Sequence, residues 1–117
     1  MKHILLVEDD ASLGQTLSER LSKEYKVAWT KTMAEAWSYF VQHEAEIDLA
    51  ILDVGLPDGN GFDLARKIKA HYNTPILFLT AQSDAENRLQ GYEIGAEEFI
   101  PKPFNHFILS PVVVMPS

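Results

Sequence analysis

Short apolar blocks recur along the chain, and this recurrence constrains the fold more than any other feature. Five such blocks, rich in isoleucine, leucine and valine, follow one another at intervals of roughly 20 to 27 residues. They are Ile4 to Val7, Val27 to Trp29, Leu49 to Leu52, Ile76 to Leu79, and Phe99 with Ile100. Continuous apolar runs are typical of strands that are covered on both faces in a parallel sheet. The blocks therefore predict five parallel strands.

The segments between the blocks have the patterns of crossover helices. Leu13, Leu17 and Leu21 are spaced four residues apart, and Thr32 with Glu35 matches a capping box. After the third block, a glycine-rich turn precedes another helical pattern, for which Asn60 is the predicted cap. This alternation predicts an α/β, flavodoxin-like doubly wound five-stranded parallel sheet with strand order 2-1-3-4-5 and helices on both faces.

Length and composition exclude several classes of function. The chain has 117 residues, which corresponds to one domain. Ten basic residues against seventeen acidic ones give a net charge of −7, so direct binding to nucleic acid is not expected. The absence of cysteine excludes disulfides and thiolate metal sites. No apolar run is long enough to span a membrane and no signal peptide is evident, so we expect a cytoplasmic protein without a membrane partner.

Polar residues whose side chains could take part in binding or catalysis lie where the predicted strands end. They are Glu8, Asp9 and Asp10 after the first strand, Asp53 at the end of the third, Thr80 at the end of the fourth, and Lys102 after the fifth. Parallel strands all end at the same edge of the sheet, where ligands of such folds bind. Clustered carboxylates repel one another unless a cation is present, and hard oxygen ligands without histidine or cysteine suit Mg²⁺.

Asp53 is the best candidate for a nucleophile at this edge. A carboxylate beside Mg²⁺ can attack phosphorus and form an aspartyl phosphate. Asp53 directly ends an apolar strand and precedes the glycine-bearing segment 55–61, which leaves space for an incoming phosphoryl group. The Lys102 ammonium and the Thr80 hydroxyl could bind phosphate oxygens. The residue types therefore indicate a phosphoryl-transfer site.

Four sequence stretches, in order and at matching spacing, resemble the receiver domain of two-component response regulators. They are Ile4 to Asp10, Ile51 to Gly61, Leu79 to Ala81, and Gly95 to Phe104. The resemblance implies that Asp53 accepts a phosphoryl group from a phosphohistidine on a sensor histidine kinase. It also implies that Mg²⁺ is held by Asp9, Asp10, Asp53 and the backbone carbonyl of Gly55.

The same resemblance implies a conformational switch. Thr80 and Lys102 would hold the phosphoryl group, and Phe99 would rotate inward when Thr80 moves toward it. Gln82 matches a position that influences how fast the aspartyl phosphate hydrolyses. The domain would assist its own phosphorylation and dephosphorylation without being an enzyme for a separate substrate. It would control a partner or an output domain, which in this family is often a DNA-binding one.

The C-terminal segment departs from the pattern of the family. We expect residues 1–104 to form the receiver core and residues 105–117 to form an atypical segment, either a short helix or extended chain. Pro111 would interrupt the long fifth helix that receivers normally have. The resemblance implies a homodimer through the fourth helix and the fifth strand. The fifth helix normally belongs to the same surface, so the altered segment would change it.

Three other functions share parts of this pattern. A phosphorylation-independent, receiver-like interaction module remains an alternative because of the altered segment. A haloacid-dehalogenase-type phosphatase would need a second aspartate two residues after the nucleophile, where Gly55 stands. A flavodoxin-type nucleotide binder would need a phosphate loop after the first strand, where the three acidic residues at 8–10 would repel phosphate.

Overall fold

Strands and helices alternate along the described part of the chain. The computed structural model describes residues 1–80, 93 and 98–101, with position 80 and positions 98–101 described by their backbone alone. The strands are β1 (His3–Val7), β2 (Lys26–Thr30), β3 (Leu49–Asp53), β4 (Gly55–Leu56), β5 (Gly59–Asn60), β6 (Ile76–Thr80) and β7 (Glu98–Pro101). The helices are α1 (Ala11–Leu21), α2 (Met33–His43) and α3 (Gly61–His71).

Five of these strands form one parallel sheet in the order β2-β1-β3-β6-β7. Along the chain they correspond to the five apolar blocks, so the predicted order 2-1-3-4-5 is confirmed. Ile4 of β1 lies opposite Val27 of β2 and Leu49 of β3. Asp53 lies opposite Leu79 of β6. Since all five strands run in one direction, their C-terminal ends share one edge of the sheet.

Two apolar layers cover the two faces of the sheet. Alternate residues of each central strand point to opposite faces, so Leu5 and Val7 belong to one layer and Ile4 and Leu6 to the other. The first layer contains buried side chains of α2 and α3, including Phe40. The second contains the buried leucines of α1. Helices therefore lie on both faces, as predicted.

Side-chain caps determine where the three described helices begin. In each case a side-chain oxygen of the residue before the helix accepts a backbone N–H of the first turn, which has no partner within the helix. The pairs are Asp10 with Leu13 (3.0 Å), Thr32 with Glu35 (3.1 Å) and Asn60 with Phe62 (2.7 Å). The predicted roles of Thr32 and Asn60 as caps are confirmed.

The segment between β3 and α3 is more ordered than the predicted loop. Gly55 and Leu56 pair antiparallel with Asn60 and Gly59, which gives a small hairpin of the strands β4 and β5. Gly59 has a φ of +156°, a conformation that favours glycine. None of the helices in the described ranges is long and apolar enough to cross a membrane. The predicted atypical segment 105–117 lies outside the described residues.

Candidate functional site

Glu8 follows β1 directly, and the end of β2 holds both sides of its backbone. The N–H of Glu8 donates to the carbonyl oxygen of Thr30 (3.0 Å). The indole Nε1–H of Trp29 donates to the carbonyl oxygen of Glu8 (2.9 Å). The side chain of Glu8 is 0% exposed, and its Oε2 accepts the N–H of Asp10 (3.1 Å). The backbone of Glu8 is therefore held by β2, and its carboxylate is held by the N–H of Asp10, the residue before α1.

Glu8, Asp9 and Asp53 bring their carboxylates together. One oxygen from each of the three lies within 4.8 Å of the others. Asp53 is the last residue of β3 and is 6% exposed, whereas Asp9 is exposed to solvent. The group therefore has two buried members and opens to solvent on the side of Asp9. Three negative charges at this spacing favour the binding of a cation.

The structure does not bring Asp10 into this group, although the sequence analysis named it as a metal ligand. Its Oδ1 instead accepts the N–H of Leu13, as the N-cap of α1. The physical reason is the position of the helix start: α1 begins at Ala11, so the preceding side chain serves the first helical turn. The carboxylate grouped with those of Asp9 and Asp53 is that of Glu8. An apolar residue three positions after Asp10, at the start of a leucine repeat, was the sequence signal for a cap.

Gly61 brings the start of α3 against the end of β3. Its N–H donates to the carbonyl oxygen of Val54 (2.7 Å). A Cβ atom at position 61 would overlap the carbonyl oxygen of Asp53 and lie 3.1 Å from the Cα of Val54. Gly55 stands on the other side of Val54, and it is exposed: a Cβ atom at position 55 would have no atom of the other described residues within 4 Å, its chain neighbours aside. The close packing of Gly61 thus fixes the backbone that carries Asp53, while the surroundings of Gly55 stay open.

Asp58 ties the β4–β5 hairpin to the start of α2. Its two carboxylate oxygens accept the N–H groups of Met33 (2.8 Å) and Ala34 (3.0 Å). These backbone hydrogen bonds lower the pKa of Asp58 below its usual value because they stabilise the ionised form. The sequence analysis missed this role, since the two partners lie 25 and 24 residues away along the chain. The hairpin that carries Gly55 is therefore anchored to a neighbouring helix.

The remaining candidate residues are placed only in part. The backbone of Thr80 ends β6, next to β3, and pairs with Pro101 of β7. Phe99 lies in β7 opposite Phe78. Lys102 and Gln82 lie outside the described residues. The backbone thus locates Thr80 at the same sheet edge as Asp53, and the roles of the side chains remain predictions.

The carboxylate group fits Mg²⁺ by the chemistry of its donors. Mg²⁺ prefers hard oxygen ligands, uses few protein carboxylates and retains several waters. Glu8, Asp9 and Asp53 supply such oxygens at the solvent-open end of the sheet. The carbonyl of Gly55, predicted as a further ligand, belongs to the hairpin that begins two residues after Asp53. The residues therefore fit the predicted cofactor.

Comparison with known protein families decides the classification. The sequence model of the response regulator receiver domain matches residues 4–111, which is most of the chain. The chain belongs to this family. Receiver domains act as phosphoacceptor switches, and they bind Mg²⁺ at an acidic pocket. The resemblance inferred from the four sequence stretches is thus confirmed.

Individual relatives agree with this classification. The response regulator RppA of Synechocystis sp. is 40% identical to this receiver domain over 103 residues, covering 86% of the chain and 44% of RppA. The transcriptional regulatory protein CpxR of Escherichia coli is 35% identical over 114 residues, covering 90% of the chain and 44% of CpxR. The chain thus spans less than half the length of these relatives.

A solved structure supports the fold independently of the sequence model. The non-phosphorylated HemR receiver domain from Leptospira biflexa is 49% identical and superposes with a TM-score of 0.91. The match covers 100% of this chain and 98% of the HemR domain. The flavodoxin-like fold predicted from the apolar blocks is therefore shown by the sheet topology and by this likeness.

Proposed function

We propose that this receiver domain accepts a phosphoryl group on Asp53 from a phosphohistidine of a sensor histidine kinase, in a reaction that depends on Mg²⁺. The observation that carries the proposal is the grouping of the Asp53 carboxylate with those of Glu8 and Asp9 at the open edge of the sheet. Membership of the receiver family supports a role of these carboxylates in phosphoryl transfer, because receivers are phosphoacceptor switches.

The proposed transfer forms one bond and breaks another. A carboxylate oxygen of Asp53 attacks the phosphorus, the P–N bond to the imidazole of the kinase breaks, and the released imidazole nitrogen retains the electron pair and takes up a proton. The product is an aspartyl phosphate. Asp53 suits this role because β6, the neighbouring strand, and Gly61 hold its backbone from two sides.

Mg²⁺, when bound, neutralises negative charge between the carboxylates and the incoming phosphoryl oxygens. We assign its protein ligands as Glu8, Asp9 and Asp53, with the Gly55 carbonyl as a fourth candidate. Without the cation, three carboxylates would repel a phosphoryl group. The acidic group therefore makes the proposed transfer dependent on the metal.

The proposed output is a shift between two conformations of the domain. Phosphorylation adds about −1.5 to −2 charge units at Asp53, and only a state that brings hydrogen-bond donors to these oxygens gains from them. We assign the Thr80 hydroxyl and the Lys102 ammonium as these donors, and Phe99 as the ring that moves with Thr80. Gln82 is proposed to tune hydrolysis of the aspartyl phosphate.

The partners remain part of the proposal. We propose that the switched state changes affinity for a partner or for an output domain, with a homodimer through the fourth helix and the fifth strand as one form. The net charge of −7 supports a role in which this domain itself does not contact nucleic acid. We place the domain in the cytoplasm, where sensor kinases transfer their phosphoryl groups.

Intact mass spectrometry after incubation with acetyl phosphate or phosphoramidate tests the proposal. We expect one phosphoryl group per chain, dependent on Mg²⁺ and absent in Asp53→Asn. Asp63→Asn is the matched control, because Asp63 lies on the exposed face of α3 and, within the described part of the chain, pairs with the neighbouring Arg66. This control should be labelled like the parent.

Labelling of the Asp53→Asn variant at the parent level would show that Asp53 is not the acceptor. Absence of labelling in a folded parent that binds Mg²⁺ would favour the alternative of an interaction module that works without phosphorylation. Chelation of the metal during a productive reaction should stop further labelling. Continued labelling in the chelated sample would contradict the proposed role of Mg²⁺.

A further inference from the structure

The end of β2 holds the backbone of Glu8, one of the three residues whose carboxylates are grouped. Thr30 accepts the N–H of Glu8 and Trp29 donates to its carbonyl oxygen, so the last two residues of β2 hold both backbone polar groups of Glu8. Glu8 in turn accepts the N–H of Asp10 with Oε2. The backbone that carries two of the three grouped carboxylates, those of Glu8 and Asp9, is thus fixed from outside its own strand.

The indole of Trp29 occupies space that α1 leaves open for it. Gly14 of α1 is buried, and a Cβ atom at this position would overlap the Trp29 ring at Cζ2 and Cε2 and lie 2.6 Å from Nε1. Glycine in a helix interior is unfavourable relative to alanine, so its presence here needs a packing reason. Close contact with the indole supplies that reason. Lys31 also lies over the ring, 5.2 Å from its centroid.

We propose that Trp29 is a positioning residue for the metal site: its indole N–H holds the Glu8 peptide in the orientation that groups Glu8 and Asp9 with Asp53. This inference rests on the proposed function, because the group is taken to bind Mg²⁺. In this role Trp29 is not itself a ligand of the metal or of the phosphoryl group. It acts through the carbonyl of Glu8.

The need for such a contact follows from electrostatics. Three carboxylates within 4.8 Å repel one another, and the repulsion favours any rotation of the backbone after β1 that moves them apart. A hydrogen bond to the carbonyl of Glu8 opposes that rotation at the peptide between Glu8 and Asp9. Mg²⁺ binds to molecules in which the three carboxylates are grouped. When fewer molecules adopt that arrangement, the apparent affinity for Mg²⁺ is lower.

The test measures Mg²⁺ affinity by titration calorimetry and the initial rate of labelling by acetyl phosphate. Trp29→Phe keeps an aromatic ring and removes the N–H. We expect its Mg²⁺ dissociation constant to rise roughly 3- to 10-fold, the effect of losing one hydrogen bond, with slower labelling at subsaturating Mg²⁺ and recovery at saturation. Trp37→Phe is the matched control, because Trp37 lies in α2 against Phe40 and Lys67. It should bind like the parent.

Gly14→Ala tests the same contact from the helix side. The added methyl group must displace the indole, so this variant should also bind Mg²⁺ more weakly although Trp29 is intact. In the double variant with Trp29→Phe, the helix substitution should add little. If Trp29→Phe does not fold by circular dichroism, Gly14→Ala decides, and parent-like affinity in this variant overturns the inference.

Fluorescence gives a signature that a purely structural role would not produce. The chain has two tryptophans, so Trp37→Phe leaves Trp29 as the sole emitter. We expect Mg²⁺ to change its emission, with a midpoint equal to the calorimetric dissociation constant, and not to change that of Trp29→Phe. Parent-like Mg²⁺ affinity in Trp29→Phe would overturn the inference and leave the proposed function standing. A parent that neither binds Mg²⁺ nor is labelled would overturn both.

Discussion

Adjacent acidic residues in this receiver domain have different tasks, although they look alike in the sequence. Glu8 is buried behind the sheet edge and grouped with Asp9 and Asp53, whereas Asp10 caps α1. A metal site assigned from acidic residue types alone would not separate these roles. The separation depends on where β1 ends and where α1 begins.

This difference predicts that conservative substitutions at these positions affect Mg²⁺ affinity differently. Glu8→Gln or Asp9→Asn removes a charged oxygen donor, so we expect the Mg²⁺ dissociation constant to rise by at least about tenfold. Asp10→Asn should leave it close to that of the parent. It should also leave the helix capped, because asparagine caps as well as aspartate does. Titration calorimetry measures the affinities, and urea unfolding checks that each variant is folded. Equal losses of affinity at positions 9 and 10 would contradict the assignment.

Gly61 gives a second prediction at the scale of the residue. In Gly61→Ala the added methyl group would overlap the carbonyl oxygen of Asp53, so the backbone at the end of β3 must shift. We expect the free energy of unfolding to fall by about 1–3 kcal/mol, the usual effect of overpacking a tight contact. Urea unfolding measures the change. Gly55→Ala is the control for stability, because a Cβ at position 55 would meet none of the other described residues within 4 Å, apart from its neighbours along the chain.

At the scale of the element, the carboxylate of Asp58 joins the hairpin to α2. Both oxygens of Asp58 accept N–H groups at the start of α2, and this lowers the pKa of Asp58. The contribution to stability is therefore present above the usual pKa of 3.8 and is lost as the pH falls through 3.8 toward the lower value in the folded state. An acid-sensitive connection follows from this geometry.

Asp58→Asn tests the connection between these elements. Asparagine has one acceptor oxygen in place of two and carries no charge, so we expect a lower urea midpoint at neutral pH and a smaller loss of stability in acid. Glu24→Gln is the matched control, since Glu24 is exposed in the turn after α1. An unchanged midpoint in Asp58→Asn would mean that the anchor contributes nothing to folding.

At the scale of the whole molecule, a buried histidine links stability to pH. His3 is 3% exposed, and its Nε2 lies 2.6 Å from the hydroxyl of Tyr39. Burial first, and then the charges of Lys26 and His43, lower the pKa of His3 below the usual 6.5. The carboxylates of Glu46 and Asp48 oppose this shift in part. The folded state therefore binds fewer protons than the unfolded chain between the lowered pKa and 6.5.

Stability should consequently decrease as the pH falls below about 6.5, until His3 is protonated in the folded state as well. Urea unfolding at a series of pH values measures this dependence. His3→Gln has no titrating ring, so its stability should change less over the same range. His71→Gln, at the exposed end of α3, should follow the parent. A parent-like profile in His3→Gln would exclude His3 as the source of the dependence.

The sequence was sufficient to predict what depends on local pattern. The apolar blocks predicted the five strands because the central strands are buried on both faces, and Thr32 and Asn60 act on N–H groups two or three residues away. Contacts between distant segments could not be read in this way. In the sequence Trp29 is only the end of the second apolar block, but its hydrogen bond to Glu8 spans 21 residues. The anchoring role of Asp58 likewise depends on how the fold brings the hairpin to α2.

The uniform apolar character of β1 has a consequence for how the chain aligns during folding. Both faces of β1 are apolar. A shift of its pairing register by one residue is therefore not opposed by its interior residues, as it would be in a strand of alternating polar and apolar residues. Hydrogen bonds at the two ends of β1 fix this register. His3 exchanges hydrogen bonds with Asp48, and the backbone of Glu8 is held by Trp29 and Thr30. Sliding by one position would carry Glu8 about 3.3 Å along the sheet and turn it to the other face. The contacts that hold Glu8 in the site thus also favour the correct register of β1.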